Sequence, residues 1–306
     1  MAERLEDYGL SKKVDQDKNT LSLIGIIGCG ENGQEIAKMV SGAGFEVNFV
    51  ELSDELVTKA LEGIGSKLDA EINSWGMTGG EKRLILSRIK GSTNLESLKD
   101  CDLIIEAITV EDPSLKISSR NEIFRKLEDI IKPTTTIATK TSTLLISDLA
   151  INMKKPERLI GLHFIEPSPA VNVVEVVKSV KTSDKTFETI SVFVKMLKKQ
   201  LVLINESPGN ISTRIIVPLI NEACELLMEG VGSVEDIDRI MRCGFGLEIG
   251  PFQLADKIGL DRVLRWMENL YNEFGERKYK PSQLIKRLVR SNRTGKRTGE
   301  GFYKYN

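Results

Sequence analysis

Histidine, cysteine and aromatic residues are scarce in this chain of 306 residues. It contains one histidine, four cysteines and two tryptophans, and aromatic residues make up 6% of the total. The cysteines, Cys29, Cys101, Cys224 and Cys243, are scattered and form no CxxC pair. With a single histidine beside them, they form no recognisable set of metal ligands, so no metal centre is predicted. A reducing cytoplasm is the simplest interpretation of this cysteine usage.

Long apolar segments and an excess of one charge are also missing. The formal net charge is −1 at pH 7, so we expect no general attraction to nucleic acid or to an anionic membrane. The longest apolar runs have the length of a strand, which argues against a membrane-spanning helix. Residues 1–20 are polar, lack an apolar signal core and predict a loose arm or a short surface helix.

A glycine-rich motif follows the first apolar, strand-like run. Gly28, Gly30 and Gly33 form GxGxxG before a helical pattern, and the next predicted strand ends in Glu51. The glycines allow a tight turn against a pyrophosphate, while Glu51 can bind a ribose 2′-hydroxyl and favours NAD over NADP. The motif alone also fits an ordinary glycine turn, but the complete strand–helix–strand pattern predicts dinucleotide binding. Glu31 should weaken that binding, since it brings a negative charge close to the phosphates.

The only histidine lies in an apolar run that ends at a proline-rich turn. His163 precedes this turn, and Glu175 lies in the apolar run that follows it. Two strands around the turn would bring the imidazole and the carboxylate together. A carboxylate that holds one ring nitrogen leaves the other to act as a base near neutral pH. A lone histidine is more often a packed side chain, so this segment by itself leaves both interpretations open.

The order of predicted elements indicates two parts. Alternating strands and helices predict a mostly parallel, doubly wound sheet of the Rossmann type over residues 1–206, after the polar arm. Residues 207–306 read as helices and predict an all-α C-terminal domain that binds substrate and dimerises, because its apolar surface is large for its size. At the carboxyl edge of the sheet, Glu111 is either a ligand contact or a solvated loop acid. Ser142 is either the cap of a helix at 144–150 or a substrate contact.

Taken together, the motifs resemble the L-3-hydroxyacyl-CoA dehydrogenase family, including its short bacterial 3-hydroxybutyryl-CoA members. The similarity runs from Leu21 to Asn306. It rests on GxGxxG with its strand-end acid, DLIIEAI, KTST, LHFxxP with a later glutamate, PGxxxxR, GPFxLxDxxGLD and KRTGEGFYKY. The resemblance implies an NAD-binding domain, a helical dimerisation domain and an active site in the cleft between them.

The resemblance also implies roles for individual residues. His163 would take the hydroxyl proton as hydride leaves C3 for NAD, and Glu175 would orient the histidine. Ser142 would hydrogen-bond the reacting oxygen, and Glu111 falls near an acid of the cofactor and substrate cleft. The implied substrate is a short (S)-3-hydroxyacyl-CoA.

The chain departs from the family at the predicted substrate pocket. Lys140, Glu166 and Thr213 each stand where asparagine is usual, and Arg120 replaces a cleft lysine. We expect Glu166 to pair with Lys140, since both loops face the cleft. The helix after Glu51, which approaches CoA in the family, carries more acidic than basic side chains and is a poor surface for a polyphosphate. Two other interpretations therefore stay open: a dehydrogenase of a 3-hydroxy acid without CoA, and an NAD-binding paralogue with little or no turnover.

Overall fold

A computed structural model describes residues 21–74, 76–108, 116–165 and 171–305. The described residues form one sheet of eight strands. The strands are β1 (Leu23–Ile27), β2 (Glu46–Val50), β3 (Ile89–Ser92), β4 (Leu103–Glu106), β5 (Thr136–Thr139), β6 (Leu159–Phe164), β7 (Val173–Lys178) and β8 (Gln200–Asn205). Each is four to six residues long, as the apolar runs of the sequence predict.

The sheet is doubly wound around its first strand. Its order is β3-β2-β1-β4-β5-β6-β7-β8, so the chain changes direction across the sheet beside β1. All neighbouring strands are parallel except β6 and β7. The strands from β1 to β6 therefore end at one edge, and ligands of open α/β sheets bind at that edge, next to such a switch point. The predicted Rossmann-type sheet is confirmed.

Helices cover both faces of the sheet, because successive strand residues point to opposite sides. Ile26 packs among residues of the first, second and sixth helices, whereas Ile27 packs on the other side, against the fourth and fifth. The six α-helices described in this part are α1 (Glu31–Gly42), α2 (Asp54–Asn73), α3 (Gly79–Ser87), α4 (Lys116–Ile130), α5 (Ile146–Ala150) and α6 (Asp184–Met196). Helix α3 lies at the edge of the sheet.

The C-terminal part is helical and has a core of its own. None of the described helices is both long and apolar enough to span a membrane. One of its helices ends at Arg239 and continues as a π-helical segment, Ile240–Gly244. The α-helices are α7 (Ile211–Met228), α8 (Val234–Arg239), α9 (Pro251–Ile258), α10 (Leu260–Phe274) and α11 (Gln283–Arg290).

A buried carboxylate in α9 fixes the C-terminal tail. Asp256 is 1% exposed and accepts hydrogen bonds from the backbone N–H groups of Phe302 and Tyr303 and from the hydroxyl of Tyr305, each at 2.9 Å. A Cβ atom on Gly301 would lie only 2.0 Å from this carboxylate. Asp256 of GPFxLxD and Gly301 of GEGFYKY therefore belong to one structural contact. We attribute these two positions of the motifs to folding.

Candidate active site

The GxGxxG motif forms the turn from β1 into α1. Gly28 has a φ of +84°, which L-residues with a side chain rarely adopt, and a Cβ atom on Gly33 would lie 2.1 Å from the carbonyl oxygen of Gly28. A Cβ atom on Gly30, by contrast, would meet no atom within 4 Å. Gly28 and Gly33 thus make the turn possible, and Gly30 leaves open space at the N-terminus of α1. A pyrophosphate fits that space, because helix N-terminal N–H groups bind anions.

Two acids lie beside this turn. Glu51, just after β2, accepts a hydrogen bond from the backbone N–H of Cys29, so its carboxylate borders the glycine turn where a ribose would lie. The carboxylate of Glu31 lies 3.4 Å from Nη1 of Arg297 and 4.0 Å from Nη2 of Arg262. The sequence predicts that Glu31 weakens phosphate binding. The two guanidinium groups from the C-terminal part balance its charge and remove the basis for that expectation.

The antiparallel pair of β6 and β7 places His163 directly opposite Glu175. Nδ1 of the imidazole lies 2.8 Å from Oε2 of the carboxylate, and both residues are 3% exposed. Neighbouring residues of β6 and β7 point to the sheet face covered by α1 and α6, so His163 and Glu175 point to the other face. Such a pair fixes the imidazole tautomer and leaves Nε2 to exchange a proton with a ligand.

A residue that sequence reasoning missed completes this pair. Ser212, in the first turn of α7, donates its backbone N–H to Oε1 of Glu175 at 2.8 Å and its hydroxyl to Oε2 at 2.7 Å. Burial alone would raise the pKa of Glu175, but the hydrogen bonds from His163 and Ser212 outweigh it and hold this pKa below its ordinary value. The PG motif before α7 signals a helix N-terminus, yet nothing in the sequence says which carboxylate that N-terminus meets.

Ser142 lies in the loop after β5, but it does not cap the next helix. The N-cap of α5 is Leu145, and the N–H and hydroxyl of Ser147 in its first turn both donate to Glu206 at 2.6 Å. A carboxylate from after β8 thus satisfies the start of α5, and the capping interpretation of Ser142 is wrong.

The backbone of Ser142 is held by the start of α7. Its carbonyl oxygen accepts hydrogen bonds from the N–H of Asn210 at 3.0 Å and from the hydroxyl of Thr213 at 3.4 Å. Thr213 is 1% exposed and is not among the described residues that line the cavity beside Ser142. In the structure Thr213 hydrogen-bonds the backbone of Ser142 outside the cavity, whereas the sequence predicts Thr213 in the substrate pocket.

These residues surround a cavity of about 130 Å³ at the carboxyl edge of the sheet. Ser142 and His163 lie in its wall beside Lys140, a predicted pocket residue. Arg120 is anchored there by Glu106, with 3.0 Å between Nε and Oε1. The described lining residues are Asn32, Glu106, Ala107, Ile108, Arg120, Lys140, Thr141, Ser142, Thr143, Leu144, His163, Arg262, Arg265, Trp266 and Asn269.

Helix α10 forms the opposite wall, and no motif of the sequence singles out the side chains that line it. Asn269 donates to the hydroxyl of Thr143 at 2.7 Å, and Arg262 donates to the side-chain oxygen of Asn32 at 3.2 Å. The cavity therefore lies between the sheet edge and the C-terminal helices. Within the described ranges no group of three or more possible metal ligands occurs. Two predicted site residues, Glu111 and Glu166, lie outside the described residues.

Comparisons with known proteins agree with this architecture. The family model for the 3-hydroxyacyl-CoA dehydrogenase NAD binding domain matches residues 23–207, and the model for the C-terminal domain of 3-hydroxyacyl-CoA dehydrogenase matches residues 209–305. A 3-hydroxybutyryl-CoA dehydrogenase of Clostridioides difficile is 38% identical over 283 residues, which cover 92% of this chain and 99% of that protein.

Solved structures give the same assignment. The crystal structure of FadB2 from M. tuberculosis has a TM-score of 0.87 and 31% identity, and the match covers 92% of this chain and 98% of that one. For (S)-3-hydroxybutyryl-CoA dehydrogenase PaaH1 from Ralstonia eutropha, the TM-score is 0.81 and the identity 38%, with coverage of 94% and 100%. The chain therefore belongs to the 3-hydroxyacyl-CoA dehydrogenase family and is an NAD-dependent oxidoreductase.

Proposed function

We propose that this protein interconverts a short (S)-3-hydroxyacyl-CoA and the corresponding 3-oxoacyl-CoA with NAD or NADH. One observation carries this proposal: His163, held by the buried carboxylate of Glu175, lines the same cavity as Ser142, at the sheet edge that also bears the glycine turn. The substrate class comes from relatives that are named 3-hydroxybutyryl-CoA dehydrogenase.

In the proposed reaction, Nε2 of His163 removes the proton of the C3 hydroxyl group. The glycine turn and Glu51 would hold NAD at this edge of the sheet, where it would supply the hydride acceptor for the oxidation of C3 to a ketone. Glu175 keeps a proton on Nδ1 and stabilises the imidazolium that forms, in the way a carboxylate supports a catalytic histidine elsewhere. Ser142 donates its hydroxyl to the reacting oxygen. In the reverse direction the imidazolium returns its proton to that oxygen.

We also propose a functional division between residues 206 and 207, with the dinucleotide bound by the first part and a homodimer formed through the second. Large apolar side chains are exposed along α7 and in the segment after α8. Exposed apolar surface is typical of sites of protein–protein contact. Examples are Ile211, Ile215, Ile240 and Phe245, which are 52%, 63%, 61% and 73% exposed.

A dehydrogenase of a 3-hydroxy acid without CoA is the second candidate. It is favoured by ion pairs around α2, the helix that approaches CoA in the family. Lys67 of α2 lies 2.7 Å from Glu35 of α1, and Asp69 of α2 binds Lys82 of α3. Lys67 is thus already paired and is less available to a polyphosphate. Comparing acetoacetyl-CoA with free acetoacetate as the oxidant of NADH separates the two candidates.

The test of the proposed mechanism is a series of substitutions followed by NADH absorbance. His163→Gln should lower kcat for acetoacetyl-CoA by about 10²- to 10⁴-fold, the usual contribution of a positioned acid–base group. Glu175→Gln should lower kcat less, and the double variant should cost little more than His163→Gln alone, because an orienting group has no role once the base is gone.

NADH affinity, measured by fluorescence titration, is the control for folding. It should stay nearly constant, because the glycine turn and Glu51 are untouched. A His163→Gln enzyme with wild-type kcat would exclude the proposed mechanism. Turnover of no 3-oxo substrate by a wild-type protein that binds NADH would favour the non-catalytic paralogue.

A further inference from the structure

The wall formed by α10 is held at both ends. Arg262, Arg265, Trp266 and Asn269 all line the cavity, and their spacing of three, four and seven residues places them on one helix face. Asn269 is fixed to the loop of Ser142 through Thr143, and Arg262 is fixed to the first turn of α1. Arg265 and Trp266 therefore lie midway between the serine loop and the dinucleotide turn, where the reacting part of a substrate would lie.

The charge of Arg265 is only partly balanced there. Nη1 lies 3.3 Å from Oδ2 of Asp261, one turn earlier on α10, and Asp261 is its single ion-pair partner among the described residues. The other oxygen of Asp261 lies 3.2 Å from Nη2 of Arg297, so two guanidinium groups share one carboxylate. The side chain of Arg265 is 33% exposed, and a guanidinium has five N–H donors. It can therefore hold a second anion in the cavity.

An uncharged acyl chain gives this guanidinium nothing to bind. Packing a methyl-terminated chain against Arg265 would remove water from a cation without replacing its hydrogen bonds, which is unfavourable. The pyrophosphate of NAD is also a poor match, because the dinucleotide would place it at Gly30 and the start of α1, on the side of Arg262. The position of Arg265, one turn nearer to the serine loop, matches an anionic group on the substrate itself.

We propose that Arg265 binds a carboxylate of the substrate and so determines specificity. This inference rests on the proposed function, since it assigns the class of 3-hydroxy compound that the same cavity accepts. The carboxylate has two chemical sources: the far end of a dicarboxylic 3-hydroxyacyl-CoA, or the acid group of a free 3-hydroxy acid. In either case the guanidinium forms charge-assisted hydrogen bonds with the carboxylate, in a bidentate geometry that lysine cannot reproduce.

The experiment compares substrates that differ in one group. 3-Oxohexanoyl-CoA and 3-oxoadipyl-CoA have the same chain length, but one ends in a methyl group and the other in a carboxylate. Free acetoacetate tests the source without CoA. Wild-type enzyme should have the higher kcat/KM for 3-oxoadipyl-CoA if the carboxylate belongs to the acyl chain. It should prefer acetoacetate to acetoacetyl-CoA if the carboxylate belongs to a free acid.

The matched variants are Arg265→Met and Arg239→Met. Arg239 also pairs with an aspartate of its own helix at 3.3 Å, but its side chain is 69% exposed and is not part of the cavity wall. Arg265→Met should lower kcat/KM for the preferred carboxylate substrate by about 10- to 100-fold, the loss expected for a hydrogen bond between charged groups. Its kcat/KM for the partner substrate without that carboxylate should change little, and Arg239→Met should leave both values at wild-type levels.

Arg265→Lys covers the case in which the methionine variant folds poorly, because it keeps the charge and should retain part of the preference. The inference is overturned if the wild type prefers, in each pair, the substrate without the carboxylate, or if Arg265→Met lowers kcat/KM equally for substrates with and without the carboxylate. Both results leave the proposed function intact, since each requires turnover. Absence of turnover with every 3-oxo substrate would instead refute the proposed function.

Discussion

Replacing Ser212 by alanine tests how the proposed catalytic pair of His163 and Glu175 is held. The substitution removes the hydroxyl that donates to Oε2 of Glu175 at 2.7 Å and leaves the backbone N–H bond to Oε1 in place. Glu175 is 3% exposed, so water cannot easily replace the lost donor. A hydrogen bond to a charged group contributes about 1.5–3 kcal/mol. We expect the free energy of unfolding at pH 7 to fall by about that amount.

The change in stability should depend on pH with a defined sign. A carboxyl whose pKa is lowered by folding adds stability above its unfolded pKa, and this stability is lost as the pH falls through the folded pKa. Loss of the Ser212 hydroxyl removes one of the hydrogen bonds that lower the pKa of Glu175, so this pKa rises towards its ordinary value of 4.5. The deficit of the variant should therefore be complete at pH 7 and smaller near pH 4, as urea unfolding at fixed protein concentration would measure.

Ser147 provides a closely matched control. Like Ser212, it is the second residue of a helix and donates both its backbone N–H and its hydroxyl to one glutamate, here Glu206 at 2.6 Å. It is not among the described residues that line the cavity. Ser147→Ala should lose less stability at pH 7, because Ser147 and Glu206 are only partly buried and water can replace part of the lost bond, and it should keep wild-type kcat.

Ser212→Ala should lower kcat as well, by about 10- to 100-fold, because a small misplacement of a catalytic group has effects of that order. The assay is NADH oxidation with a 3-oxo substrate at saturation, where KM effects do not contribute. The reasoning is refuted if the two alanine variants have the same kcat, since Ser212 would then be only a helix-terminal contact. It is also refuted if the stability deficit of Ser212→Ala grows on acidification.

Three further predictions concern other parts of the chain. Glu51→Ala should weaken NAD binding and relax discrimination against NADP, whereas equal wild-type affinities for NADH and NADPH would contradict the role of Glu51. Light scattering at micromolar concentration should give the mass of a dimer, and Phe245→Glu should shift it towards the monomer; a monomeric wild type would refute this assembly. Arg120→Met should lower the free energy of unfolding by about 3–5 kcal/mol because it strands the buried charge of Glu106, and adding Glu106→Gln should recover much of that loss; additive effects in urea unfolding would show that the two do not couple.

The parts that the sequence predicts well are those with local, periodic signals. The strand runs, the glycine turn and the helical C-terminal part each follow from residues close together in the chain. The meeting of His163 with Glu175 follows from two apolar runs around a turn, because antiparallel pairing fixes which residues face each other. The family resemblance then names their chemistry. Glu111 and Glu166 stay predictions, as does the pairing of Glu166 with Lys140.

The parts that the sequence does not predict depend on contacts between distant segments. Ser142 fits a helix-cap pattern, yet the start of α5 is satisfied by Glu206, which follows β8. Glu31 looks like an uncompensated charge until Arg297 comes close to it. The two cases of Ser142 and Glu31 have the same origin. Local patterns show what a residue can do, but the partner that decides between its possible roles comes from another segment.

Helix α7 shows why the cavity needs the C-terminal part. Its first turn donates to the carbonyl oxygen of Ser142 through Asn210 and to Glu175 through Ser212. The serine loop and the histidine–glutamate pair are thus joined by one helix terminus, whose exposed N–H groups and dipole favour a carboxylate at that position. Without α7, the carboxylate of Glu175 would lack two of its hydrogen-bond donors. The PG motif that starts α7 is therefore as much a part of the site as the residues that line the cavity.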